Sequence, residues 1–171
     1  TLMGIDDVGN AYVLDVVRYR ERSAKVLQNI IEQAKKDTKE WGDHLIVIPE
    51  DAGAAGKTAC DSMVGAIQQE GFLVKKNKMS NVKGRKLKAF QPFAICAENN
   101  MVYVLKADWN PSWFDELEQF DPSSRCGHDD QVDSAADAYN GLVSLDYCVA
   151  VTMPTINAPT MISGLNKIRY F

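Results

Sequence analysis

The sequence is short of the residues on which several common chemistries depend. It has two histidines, His44 and His128, and no serine in a Gly-x-Ser-x-Gly turn, so a Ser-His-Asp hydrolase has no foundation here. His44, at the start of an apolar run, reads as structural. The four cysteines (Cys60, Cys96, Cys126, Cys148) include no Cys-x-x-Cys pair. That argues against a zinc site and a disulfide frame, and for reduced thiols of a cytosolic protein. No window nears the roughly 18 consecutive apolar residues of a membrane span. The first residues also lack the basic-then-apolar order of a secretory signal, so no membrane association is expected. What remains is 171 residues, 46% hydrophobic and 25% charged. That is an ordinary globular composition, at a length that can bury about 70% of the unfolded surface. We expect a single domain over 1–171.

Charge is distributed unevenly. Lys75, Lys76, Lys78, Lys83, Arg85, Lys86 and Lys88 fall within 14 positions that contain no acidic residue, although the net charge is −4. The acidic excess gathers downstream, in Asp108, Asp115, Glu116, Glu118, Asp121, Asp129, Asp130, Asp133 and Asp137. A basic stripe binds nucleic acid because each neutralised phosphate releases a condensed counterion. A solvated loop explains the same stripe without a ligand.

Apolar, β-forming runs at 2–5 and 11–18, separated by Asp6-Asp7-Val8-Gly9-Asn10, predict a β-hairpin. Ser23 is a candidate cap for a helix reaching about Trp41, with Val26, Leu27, Ile30, Ile31 and Ala34 at helical spacing. Residues 45–48 read as a short strand buried on both faces. A small-residue turn over 50–56, a helix over 57–69 and a strand over 72–74 follow. Leu87, Phe90, Phe93, Ala94 and Ala97 predict a helix around the basic segment, and 101–105 a further strand. Asn110 and Pro111 suit the opening of a helix to about Phe120. After a loop over 121–127, a helix over 129–142 turns Val132, Ala135, Ala136, Tyr139 and Val143 inward. A hairpin followed by alternating strands and helices predicts an α/β domain with a mixed sheet. Beyond Ser144 the periodicity fades, so the core is placed at about 1–144, and 145–171 are expected to form a peripheral C-terminal tail.

Three clusters carry candidate chemistry. Glu50 and Asp51 stand at the carboxyl end of a strand, where open α/β sheets place their ligands; a turn that caps the next helix explains them equally well. In His128-Asp129-Asp130-Gln131-Val132-Asp133, Asp130 and Asp133 are three apart, and Asp133 and Asp137 four apart, which puts their carboxylates on one helix face. Such carboxylates repel one another unless a cation sits among them, and all-oxygen donors suit Mg²⁺ or Mn²⁺. Helix-dipole capping accounts for Asp129 and Asp130, and less well for Asp133. The third cluster, Gly53-Ala54-Ala55-Gly56-Lys57-Thr58, imitates a phosphate-binding loop. Asp51 stands where that loop requires its first glycine, so the glycines read better as a sharp turn.

Taken together, residues 9–18 (GNAYVLDVVR), 48–57 (IPEDAGAAGK), 92–94 (PFA), 102–104 (VYV), 108–110 (DWN) and 127–133 (GHDDQVD) resemble the C-terminal nuclease domain of tailed-phage large terminases, a ribonuclease H-like fold. The resemblance covers roughly 1–143. It implies an endonuclease that cuts concatemeric viral DNA during genome packaging, using two Mg²⁺ or Mn²⁺ ions about 3.5–4 Å apart. It implies metal ligation by Asp51, Asp129 and Asp130, with Glu50 the alternative to Asp51. Asp133 is implied as a ligand or a supporting carboxylate, and His128 as orienting a ligand or a water. Asp137 remains helix surface. Double-stranded DNA is the implied substrate, contacted by Lys78, Lys83, Arg85, Lys86 and Lys88. The terminase ATPase domain, small subunit and portal are implied partners, and the host cytoplasm the compartment. The family's first-strand aspartate belongs upstream of a stretch like 1–5, so that strand is expected to be missing. Asp6 and Asp7 lie in the turn and substitute poorly, and Asp15 is an unsupported substitute. Two rival readings remain: another ribonuclease H-like nuclease or resolvase, and a non-catalytic DNA-binding or assembly module.

Overall fold

The computed structural model describes residues 1–50, 53–78, 85–121, 129–144 and 166–171. Strands β1 (Leu2–Ile5) and β2 (Ala11–Asp15) form the expected antiparallel hairpin. Its turn is held by Asp6, whose carboxylate accepts hydrogen bonds from the Val8 and Asn10 amides, the Asn10 side chain and the Tyr12 hydroxyl. Burial pushes the Asp6 carboxyl up, but these hydrogen bonds outweigh it and hold the group below its ordinary range. Gly9 supplies the left-handed backbone, φ +92°, that closes the turn.

The chain then alternates through α1 (Ser23–Trp41), β3 (Leu45–Glu50), α2 (Ala54–Gln69), β4 (Leu73–Lys78), α3 (Arg85–Glu98), β5 (Val102–Val104), α4 (Asn110–Glu118) and α5 (Asp130–Val143), and ends in β6 (Asn166–Tyr170). Two expected caps are corrected. Arg22 occupies the N-cap position of α1, without a side-chain cap bond, and Ser23 is already helical. Trp109 precedes α4, while the Asn110 side chain accepts from the Ala107 amide at 2.7 Å and donates to the Leu105 carbonyl at 3.0 Å. Gly53, at φ +111°, makes the sharp entry into α2 that its residue type suggests. Strand β4 runs further than the apolar residues predict, because at a sheet edge its lysines can face solvent.

The six strands lie in the order β4-β3-β6-β1-β2-β5. Strand β1 is antiparallel to both neighbours, and all other pairings are parallel. This is the mixed sheet expected of a ribonuclease H-like α/β fold. Side chains alternate across it. Met3, Val13, Val47 and Ile168 join Phe93, Trp113, Ala135, Ala138 and Leu142 beneath α3, α4 and α5. Ile46 and Ile48 join Ile30, Ala34, Cys60 and Ile67 beneath α1 and α2. A Cβ on Gly141 would come within 2.9 Å of Ile168, so the glycine lets α5 seat directly on β6.

The peripheral-tail expectation for 145–171 is therefore corrected over 166–170, which is a central strand. Its Arg169 side chain is fully buried. The guanidinium donates through Nε and Nη2 to both oxygens of Asp37 on α1, each at 2.7 Å, and through Nη2 to Asp15 at 2.8 Å. Gln33 donates to Asp15 at 3.0 Å and to Asp37 at 2.8 Å. Asp15, a candidate first-strand substitute, is thus committed to this network. Removing one partner of a buried ion pair strands the other charge, so Arg169→Met should cost about 3–5 kcal/mol of unfolding free energy, measured in urea. A loss below about 1 kcal/mol would show that the network contributes little.

His44 is buried, with Nδ1 lying 3.3 Å from the Gly42 carbonyl and Nε2 unpartnered. Burial pushes its pKa below 6.5, outweighing the upward pulls of Gly42 and Asp37. Its contribution to stability is full above the unfolded pKa and is lost as pH falls, because the unfolded chain takes up the proton first. The thermal midpoint should fall between pH 7.5 and 5.5, and a His44→Leu variant should lose that slope. An identical slope in the variant would assign it elsewhere.

Candidate functional site

Every strand except β1 points the same way, so the carboxyl ends of β2 to β6 share one edge of the sheet with the amino end of β1. In open α/β sheets that edge is where ligands bind. Three described groups of charged residues lie along it.

Glu50, the last residue of β3, is buried on the face of Ile46 and Ile48, beneath α1 and α2. The register pairs Ile48 with Lys76. The Lys76 ammonium accordingly lies 3.7 Å from the Glu50 carboxylate, and it also pairs with Asp61 on α2. The hydrogen bond to Asp61 raises the Lys76 pKa, with burial opposing. Asp51 lies outside the described residues.

The second group is at the start of α5. Asp129 sits at its N-cap position but makes no side-chain cap bond. Glu116 of α4 does that work instead, accepting from the Gln131 amide at 2.6 Å and from the Gln131 side chain at 2.7 Å. Released from capping, the Asp129 carboxylate meets the ammonium of Lys86, in the first turn of α3, which also binds Asp133 at 2.9 Å. Burial lowers the Lys86 pKa, but the hydrogen bonds to Asp129 and Asp133 outweigh it and raise the group. The expected capping role of Asp129 is thus taken by a residue from another helix. His128 lies outside the described residues.

Asp130, the first residue of α5, points outward with its side chain 77% exposed, 3.6 Å from Arg18. Arg18 also lies 3.6 Å from Glu116. Asp130, Arg18, Arg20, Gln131, Ser134 and Phe171 border a cleft of about 250 Å³ at this edge. Neither Arg18 nor Glu116 stands out in the sequence. Arg18 is one basic residue at the end of a β-run and Glu116 one acid in an amphipathic helix, and their partners are remote.

The basic stretch divides. Lys76 and Lys86 pair with carboxylates, while Lys78 and Lys88 are exposed. Arg85 opens α3, and Lys83 lies outside the described residues. The donor set fits a hard divalent cation in part: Asp129 and Asp133 already converge on one positive charge through oxygen atoms. Among the described residues no three metal-capable side chains cluster.

Glu116 should prove structural as well as local to the site. Glu116→Ala removes a charged acceptor for two Gln131 donors, which predicts a loss of about 1–3 kcal/mol in urea unfolding. A change under about 0.5 kcal/mol would mean that solvent replaces the cap fully.

The sequence matches the family model described as the terminase RNaseH-like domain over residues 1–142. No curated protein and no solved structure matches it. The family match takes in the hairpin, the strand ending at Glu50, the basic stretch and the acidic turn of α5. The chain therefore belongs to the terminase ribonuclease H-like nuclease family.

Proposed function

We propose that this domain is a metal-dependent DNA endonuclease that cuts concatemeric viral DNA during genome packaging by two-metal-ion phosphodiester hydrolysis. The observation that carries the reading is the pair Asp129 and Asp133, whose carboxylates share a single cation at the start of α5, on the ligand-binding edge of the sheet. Asp129, Asp130 and Asp133 would hold the ions together with Asp51, with Glu50 as the alternative; His128 would orient a ligand or a water. When bound, Mg²⁺ or Mn²⁺ ions supply charge stabilisation at the phosphate and a water of lowered pKa.

The remaining work falls to the chain's own side chains. Asp130 opens on the cleft bordered by Arg18 and Arg20, which gives a phosphodiester backbone both an entry and cationic walls. Lys78 and Lys88, both exposed, would offer positive charge to double-stranded DNA, with Lys83 and Arg85 proposed to join them, and with little sequence preference because phosphate contacts position without specifying. The ATPase domain, small subunit and portal of a packaging motor are the proposed partners, and the host cytoplasm the compartment. Among the described residues no helix is long and apolar enough to cross a membrane.

The test is relaxation and linearisation of supercoiled plasmid by the domain with Mn²⁺, compared with Asp130→Asn and Asp133→Asn. Each substitution should lower cleavage by at least about 100-fold while leaving the circular dichroism spectrum unchanged. An intact plasmid with the native sequence, or equal cleavage by the folded variants, would leave a DNA-binding or assembly module as the better description.

A further inference from the structure

Lys86 belongs by sequence to the basic stretch, yet its ammonium lies against two carboxylates of a different helix: Asp129, and Asp133 at 2.9 Å. The packing of α3 on α5, reinforced by the Asn140 side chain donating to the Ala89 carbonyl at 2.8 Å, brings them together. Asp129 and Asp133 are four residues apart at one helix start, so their like charges repel without a cation between them. One ammonium cancels one of the two charges and leaves the pair still negative. A divalent ion would cancel both.

The lysine is placed to yield. Its side chain is 45% exposed, and ion pairs of that exposure contribute only about 0–1 kcal/mol each. An ammonium and a divalent ion compete for the same carboxylate oxygens, because like charges at that separation repel. The flexible four-carbon stem lets the displaced charge move into solvent without disturbing α3.

We propose that Lys86 is an exchangeable counter-cation: it holds Asp129 and Asp133 together until a divalent ion binds, then releases them and transfers its charge to the DNA backbone. The proposal rests on the nuclease reading above. It gives the lysine two successive partners, carboxylate and phosphate, and makes metal loading and DNA binding mutually reinforcing. By linkage, each ligand must tighten the other by the same factor.

Two measurements on the full chain test it, neither of them cleavage. Titration calorimetry with Mn²⁺ in the absence of DNA should show Lys86→Ala binding the ion roughly 3- to 10-fold more tightly than the native sequence, with Lys86→Arg close to native. Fluorescence anisotropy with a labelled duplex, in Ca²⁺ to suppress cleavage, should show the ion strengthening DNA binding in the native protein and in Lys86→Arg. Lys86→Ala should lose that gain. Unchanged or weaker Mn²⁺ binding by folded Lys86→Ala would overturn the proposal while leaving the metal-dependent reading intact. An absence of Mn²⁺ binding in native and variant proteins alike would overturn both. Matching circular dichroism spectra and thermal midpoints for both variants guard against misreading a folding defect.

Discussion

The sheet depends on one buried cation. Strand β6 joins β4 and β3 on one side to β1, β2 and β5 on the other, so the two halves share hydrogen bonds through it. That strand reads Asn-Lys-Ile-Arg-Tyr, a poor apolar strand by composition. Its place is fixed by Arg169, which is buried against Asp37 and Asp15 beneath α1. A one-residue slip would turn every side chain of β6 to the opposite face. Arg169 would then enter the cluster of Phe93, Trp113 and Leu142, where no carboxylate is among the core residues. An unpaired guanidinium there would cost several kcal/mol. The ion pair therefore acts chiefly on register, by making the alternatives expensive.

Register at the centre propagates to the edge. With Arg169 opposite Ile46 and Leu2, the amino end of β1 stands beside the carboxyl end of β6. The start of α5 is tied to that edge by the Ser134 hydroxyl, which donates to the Thr1 hydroxyl at 3.0 Å. Gly141 seats the far end of the same helix on Ile168. Asp130, Gln131 and Arg18 line one cleft because these constraints set both the height and the rotation of α5.

Much of this was legible in the residues. The hairpin, α1, β3, α2 and α5 announce themselves through local periodicity, and the turn chemistry of Asp6, Gly9 and Gly53 matches its sequence. The acidic run at 129–133 is visible for the same local reason. Strand β6 was not legible. Its Arg169 partners lie 132 and 154 residues away, and a strand carrying two cations looks solvent-exposed until those partners are known. The cap of α5 was hidden likewise: Asp129 has the right residue type and position, but Glu116 from α4 holds the bonds. Arg18 and Lys86 owe their placement to packing between elements, which no local pattern records.

The sequence presents two poles of charge, a basic stretch and an acidic run, which invite assignment to two separate surfaces. In the folded chain the basic stretch meets carboxylates, those of the acidic run among them. Lys76 crosses to Glu50 and Asp61, and Lys86 to Asp129 and Asp133. Those two contacts withdraw positive charge from the face that the sequence would give wholly to DNA. The same contacts screen carboxylates that would otherwise repel the phosphate backbone. The nuclease proposed here would need both properties at one edge, since its substrate would be a polyanion and its metal ligands anions. The meeting point suits a long, half-exposed cation, because an ion pair that solvent reaches costs little to give up, whereas Arg169 is fully buried against two carboxylates and is held. The fold uses a buried cation to lock a strand and places a half-exposed one against its acidic turn.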